Sequence, residues 1–145
     1  MTIKVPLDVV KIEDEGFHPH LLVKINNKVA VMLVDTGASK TVFDLELIKK
    51  YIKNIASEVH DKFTTGLGTS SMVSHKATIN KLEIGEMEII NWDAVLLDLS
   101  HVNNSYEQLG IQEIAGVIGS DLLVQFKAKV DFEKSILTLK VASIV

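Results

Sequence analysis

Val31-Met32-Leu33-Val34-Asp35-Thr36-Gly37-Ala38-Ser39 sets one carboxylate at the end of an apolar strand and at the start of a tight turn of small residues. At average residue usage, Asp-Thr-Gly alone arises by chance roughly once in several thousand positions, so its surroundings decide its meaning. Four apolar residues precede it. A second segment, Ile114-Ala115-Gly116-Val117-Ile118-Gly119-Ser120-Asp121-Leu122-Leu123, lies far enough downstream to fold back beside it.

Working outward, apolar residues recur at every second position and turn formers interrupt them, the pattern of short half-buried strands. Ile3, Val5, Leu7 and Val9 form one such row. Residues 21–25 and 29–34 flank Asn26-Asn27-Lys28, and Asn tolerates the positive φ of a hairpin turn. Val73 to Leu82 and Met87 to Leu97 read as longer strands joined at Ile84-Gly85-Glu86. Residues 130–132 and 136–139 close the chain as strands around Glu133-Lys134. Three short helices are expected: Asp44 to about Tyr51, Ser105 to Leu109, and a turn or two after Gly119 capped by Ser120 or Asp121. The fold class is therefore all-β with small helices, a closed or sandwich-like barrel.

The chain has 145 residues, 47% of them hydrophobic, which fits one compact domain spanning 1–145 and is short for two lobes. A net charge of −4 and scattered lysines give no basic stripe, so nucleic acid is not an expected partner. Cysteine is absent, which excludes disulfides, thiolate chemistry and zinc ribbons and suits a reducing, cytoplasmic setting. Asp8 interrupts the N-terminal stretch before a signal-peptide core could form, and no apolar run approaches the roughly twenty residues of a membrane helix. No membrane association is expected. A mean hydropathy of +0.25 points to an apolar interface between copies.

Hydrolysing a peptide with carboxylates alone requires two in contact, one ionised to take a proton from water and one protonated to polarise the carbonyl. Such a pair shares one proton because both cannot ionise cheaply. This chain has a single Asp-Thr-Gly, so Asp35 must meet Asp35 of a second copy, and a homodimer becomes a requirement of that chemistry. Gly37 lets its N–H approach the carboxylate, Thr36 can tie its hydroxyl to the facing turn, and Ala38 and Ser39 keep the turn narrow. The bland alternative is an ordinary exposed Asp after a strand.

The chain resembles the retropepsin-like aspartic proteases, single-lobe dimeric enzymes with an Asp-Thr-Gly turn. The resemblance implies an acid-protease barrel in which Val117-Ile118-Gly119 threads beside the Asp35 turn before a short helix, with Asp35 catalytic. It implies an endopeptidase acting on polypeptides without cofactor or metal. Leu82-Glu83-Ile84-Gly85 and residues 130–139 are similar to hairpins of bacterial and cellular members. Viral members commonly carry Asp where Ser39 stands and Arg where Ser120 stands. Losing both together leaves no orphaned buried charge, which would cost several kcal/mol. The resemblance also implies a substrate-covering flap, and Phe63-Thr64-Thr65-Gly66-Leu67-Gly68-Thr69-Ser70 fits it, with Gly66, Leu67 and Gly68 at the tip. Alone, that segment reads simply as a hairpin turn.

Two other readings compete. His18 and His20 alternate on an extended segment and could chelate a metal, but no third ligand shares the motif, so a surface strand start explains them better. Glu13-Asp14-Glu15 reads as a solvated turn, and the aromatics are too dispersed for a stacking platform. The main alternative function is a non-catalytic retropepsin-like module that dimerises or binds peptides without cutting them.

Overall fold

The computed structural model describes residues 1–53, the backbone of 56–60, and residues 74–142. Strands β3 (Phe17–Ile25), β4 (Lys28–Val34), β5 (Val42–Asp44), β7 (Ser74–Ile84), β8 (Met87–Leu97) and β9 (Gly116–Ile118) close on one another in the order β3-β4-β9-β5-β8-β7, because β7 pairs back onto β3. The result is the expected closed β-barrel. β2 (Asp8–Lys11) extends it beside β3, and β6 (Ala56–His60) beside β7. A separate three-stranded sheet has the order β1 (Thr2–Pro6), β11 (Ile136–Lys140), β10 (Lys129–Asp131).

The turns follow residue chemistry. Ile25 pairs with Lys28, leaving a two-residue loop in which Asn26 and Asn27 both adopt positive φ, 49° and 70°. The Asn26 side chain then accepts from the Lys81 N–H and donates to the Tyr51 carbonyl, fixing this hairpin to its neighbours. Gly85, at φ 60°, turns β7 into β8, and a Cβ there would meet Val5 and Ile3 at 3.0 and 3.1 Å, so β1 packs directly over this turn.

From Ala30 to Val34, β4 is apolar without interruption because it is covered on both faces. Ala30, Met32 and Val34 enter the main core with Ile25, Phe43, Ile79, Leu96 and Ile118. Val31 and Leu33 face a second core built around Val42, Leu97, Tyr106, Ile114 and Val117. Helix α1 (Ser100–Gln108) covers that second face. The Asp98 carboxylate accepts from the Ser100 N–H at its start, and Asn103 exchanges two hydrogen bonds with the backbone of Ile114. The terminal sheet adds Ile3, Val5, Leu7, Leu137 and Leu139 to the main core.

The helices differ in detail from expectation. The first is a 3-10 helix, Leu47–Lys50, and not an α-helix reaching back to Asp44. Asp44 is buried, with one carboxylate oxygen accepting from the Leu47 N–H and the other from the Leu99 N–H, so it spends only half its capacity on the helix. α1 begins five residues earlier than periodicity suggests. α2 (Ser120–Gln125) is capped at Gly119 with no side-chain cap, because Asp121 is engaged elsewhere.

β9 runs parallel to β4 and antiparallel to β5, lying between them. This passage has no room for a side chain at Gly116, where a Cβ would stand 2.4 Å from the Val42 carbonyl and 3.0 Å from both Met32 and Phe43. Backbone is rigid here, so Gly116→Ala is expected to lower stability by about 1–3 kcal/mol, measured as a lower urea midpoint at unchanged slope.

Candidate active site

Asp35 follows β4 directly, and its N–H donates to the Ile118 carbonyl at 3.0 Å, carrying the β4–β9 ladder one residue into the turn. The carboxylate is positioned by its own loop. Gly37 donates its N–H to Asp35 Oδ1 at 2.8 Å, and Ala38 donates to the Asp35 carbonyl at 3.2 Å. A Cβ on Gly37 would lie 3.2 Å from the same oxygen, so the glycine gives the N–H its approach. Asp35 is half-buried, Ala38 is buried, and Thr36, Gly37 and Ser39 are exposed. The turn therefore presents its polar edge outward.

Val117, Ile118 and Gly119 lie beside this turn. Ser120 donates its N–H to the Ala38 carbonyl at 2.7 Å, joining the start of α2 to the Asp35 loop. Gly119 is extended, at φ −98°, so its requirement is space: a Cβ would stand 2.5 Å from the Lys40 carbonyl oxygen and 2.8 Å from that of Ala38. Two supporting residues lie eighty positions apart: Thr41, which had no signal in the sequence, and Asp121, which read there only as a helix cap. The buried Thr41 hydroxyl accepts from the Gly119 N–H at 3.0 Å and donates to Asp121 Oδ1 at 2.8 Å. That same oxygen accepts the N–H groups of Thr41 and Leu122. Asp121 is thereby committed to holding the loop.

Asp35 and Thr36 open into a groove of about 340 Å³ walled by Phe17, Pro19, Leu33, Val34, Val130 and Phe132, with His18 on the same wall. Phe17 and Phe132 are each 61% exposed. A larger hollow, about 1060 Å³ beside Asn26 and Asn27, shares no residue with it, so size alone does not mark the site. Gly66, Leu67 and Gly68 lie outside the described residues.

The histidines are not a simple surface strand start. His20 is only 3% exposed, and Tyr106 of α1 inserts its hydroxyl between the pair, 2.6 Å from His18 Nδ1 and 3.0 Å from His20 Nε2. Each ring thus gives one nitrogen to Tyr106, and among the described residues no cluster of three or more candidate ligands could hold a metal ion. Burial pushes the Tyr106 hydroxyl up to about 12. Burial, reinforced by His18 and opposed by Asp8, holds His20 below its ordinary value near 6.5. Glu13, Asp14 and Glu15 form an exposed turn.

Two outcomes test this arrangement. Thr41→Val leaves the Gly119 N–H without its acceptor and should cost about 1–3 kcal/mol in urea unfolding, with Thr41→Ser close to the parent. For His20 the folded state disfavours the charged form, so its contribution is complete above about 6.5 and is lost as pH falls toward the folded value. Melting temperature should therefore drop on acidification below 6.5, and His20→Gln should flatten that slope.

No curated protein matches the chain at a significant level. Solved structures share its fold, among them the following three. A retropepsin-like aspartic protease from Rickettsia conorii superposes with a TM-score of 0.58 at 21% identity, over 99% of this chain and 94% of the other. The retroviral protease-like domain of Ddi1 from Leishmania major gives 0.54 at 15% identity, over 85% and 88%. EIAV protease, complexed with the inhibitor HBY-793, gives 0.51 at 19% identity, over 85% and 100%. The family model described as aspartyl protease matches residues 21–122, from the hairpin that delivers Asp35 to the start of α2. With its barrel, its Asp-Thr-Gly turn and that match over most of its length, the chain belongs to the aspartyl protease family.

Proposed function

We propose that this chain is an aspartic endopeptidase whose active form is a homodimer, with the two Asp35 carboxylates as its catalytic groups. The observation that carries the reading is the state of the acidic side chains around the turn. Among the described residues Asp35 Oδ1 accepts only from its own Gly37, whereas Asp121 is tied to Thr41 and Leu122. A single carboxylate cannot supply both base and acid, so the second must arrive on another copy.

Paired across a two-fold axis, the carboxylates share one proton. The ionised member removes a proton from a water, which attacks the peptide carbonyl while the protonated member donates to the carbonyl oxygen. The resulting gem-diol collapses as the amine leaves protonated, with no covalent intermediate. Gly37 N–H stabilises the ionised oxygen through a charge-assisted hydrogen bond. Thr36 and Ser39, exposed beside Asp35, are the turn residues placed to meet the facing turn.

The dimer contact belongs on the face around Asp35. β11 lies between β1 and β10 within one chain, pairing with β1 through five residues, and the Met1 amino group donates to the Val141 carbonyl, so β11 uses both of its hydrogen-bonding edges internally. Phe17 and Phe132 beside the Asp35 groove supply the exposed apolar surface that such a contact buries. A polypeptide substrate then lies across the cleft between copies, with the segment around Gly66, Leu67 and Gly68 as its cover. Among the described residues no helix is long and apolar enough to cross a membrane. The lack of cysteine accords with work in the cytoplasm.

Asp35→Asn replaces the base with an amide of the same shape. Peptide cleavage by the purified variant is expected to fall at least a thousandfold, on the order of a catalytic group's contribution, while sedimentation still reports a dimer. Cleavage at the parent rate would overturn the assignment, and binding without cleavage by the parent itself would favour the non-catalytic module.

A further inference from the structure

The His18–Tyr106–His20 array lies outside the Asp-Thr-Gly chemistry yet borders its groove. His20 pairs with Leu33 at the end of the β3–β4 ladder, and Asp35 follows β4 directly. Strand alternation puts His18 and His20 on one face of β3, where Tyr106 of α1 meets both rings. His18 and Asp35 wall the same groove.

The array's proton count is limited. The Tyr106 hydroxyl has one proton and two lone pairs, so it donates to one imidazole and accepts an N–H from the other. Protonating both rings would strand the tyrosine proton, 2% exposed, and place two cations with ring centres 6.5 Å apart. One added proton is therefore the economical limit. It belongs on His18, since His20 is the more deeply buried ring. With His18 Nδ1–H donating to Tyr106, and Tyr106 donating to His20, every buried atom of the array is satisfied. His18 Nε2, which no described residue engages, is left for a ligand.

The other charged groups around the array leave that role to His18. Asp8 of β2 is the register partner of His20 and acts at the far end. On α1, His101 and Glu107 are exposed, and on β10 the Asp131 carboxylate accepts from the Lys134 N–H. Among the described residues no ion pair joins His18 to Asp35.

We propose that His18, held by Tyr106, is a specificity-determining residue that presents a single positive charge to the Asp35 groove and so selects a peptide with a carboxylate side chain near the cleaved bond. Pro19, Leu33 and Val34 on the wall of the groove hold the stem of that side chain and His18 Nε2 meets its carboxylate. The inference rests on a peptide lying in the Asp35 groove.

The test uses two sets of octapeptides whose central bond is a reduced, uncleavable one. Glu in one set replaces Gln in the other, walked across the four positions nearest that bond. At pH 5.5 at least one Glu peptide should bind the dimeric protein about fivefold tighter than its Gln counterpart, as a charge-assisted contact requires. The preference should vanish in His18→Gln, and weaken in Tyr106→Phe, which keeps the ring. Equal binding of Glu and Gln peptides, failure to bind either, or a preference that survives His18→Gln overturns the inference. Discrimination without any cleavage of ordinary peptides would instead overturn the endopeptidase reading and leave this one standing.

Discussion

The passage of β9 between β4 and β5 is the constraint on which this structure depends. It is parallel to one neighbour and antiparallel to the other, and it fits only because the chain has no Cβ at either end of it: Gly116 would collide with Val42, and Gly119 with Lys40 and Ala38. Close passage lets Ile118 accept from Asp35 and Ser120 donate to Ala38, so both sides of the turn hang on one strand. Thr41 and Asp121 lock the far side through four hydrogen bonds converging on two buried or half-buried groups. The Asp35 loop is thus positioned by backbone before any ligand arrives, which is what precise chemistry on a loop requires.

On the proposed reading, a loop held so firmly still offers only half of a two-carboxylate site. The local chain gives Asp35 one N–H and a groove with apolar walls, then leaves its polar edge exposed. In the proposed homodimer, the exposure of Thr36, Phe17 and Phe132 around that edge has a common explanation in a facing copy. The two cores serve the same end: the main one rigidifies the barrel, while the second, beneath α1, supports Val31 and Leu33 and brings Tyr106 to the histidines.

Much of this was legible in the sequence because it is written in local pattern. Strand alternation gave most of the barrel, Asn26-Asn27 gave its hairpin, and the glycine after Val117-Ile118 marked a close approach. What escaped depends on distant partners. Asp44 looks like an ordinary helix cap, yet half of its carboxylate holds Leu99, and the helix shrinks to a 3-10 turn. Thr41 and Asp121 are unremarkable polar residues until the fold joins them. His18 and His20 resembled a surface pair because no local feature announces that a tyrosine of α1 will cover them.

The claim at the centre is that each catalytic unit draws one carboxylate from each of two chains. Mixing parent protein with rising proportions of Asp35→Asn chains, under conditions of free subunit exchange, measures it directly. If both carboxylates are needed, total cleavage at constant parent concentration declines as mixed dimers form, and at fixed total protein it follows the square of the parent fraction. Cleavage in simple proportion to the parent fraction would mean that each chain works alone, and would contradict the account.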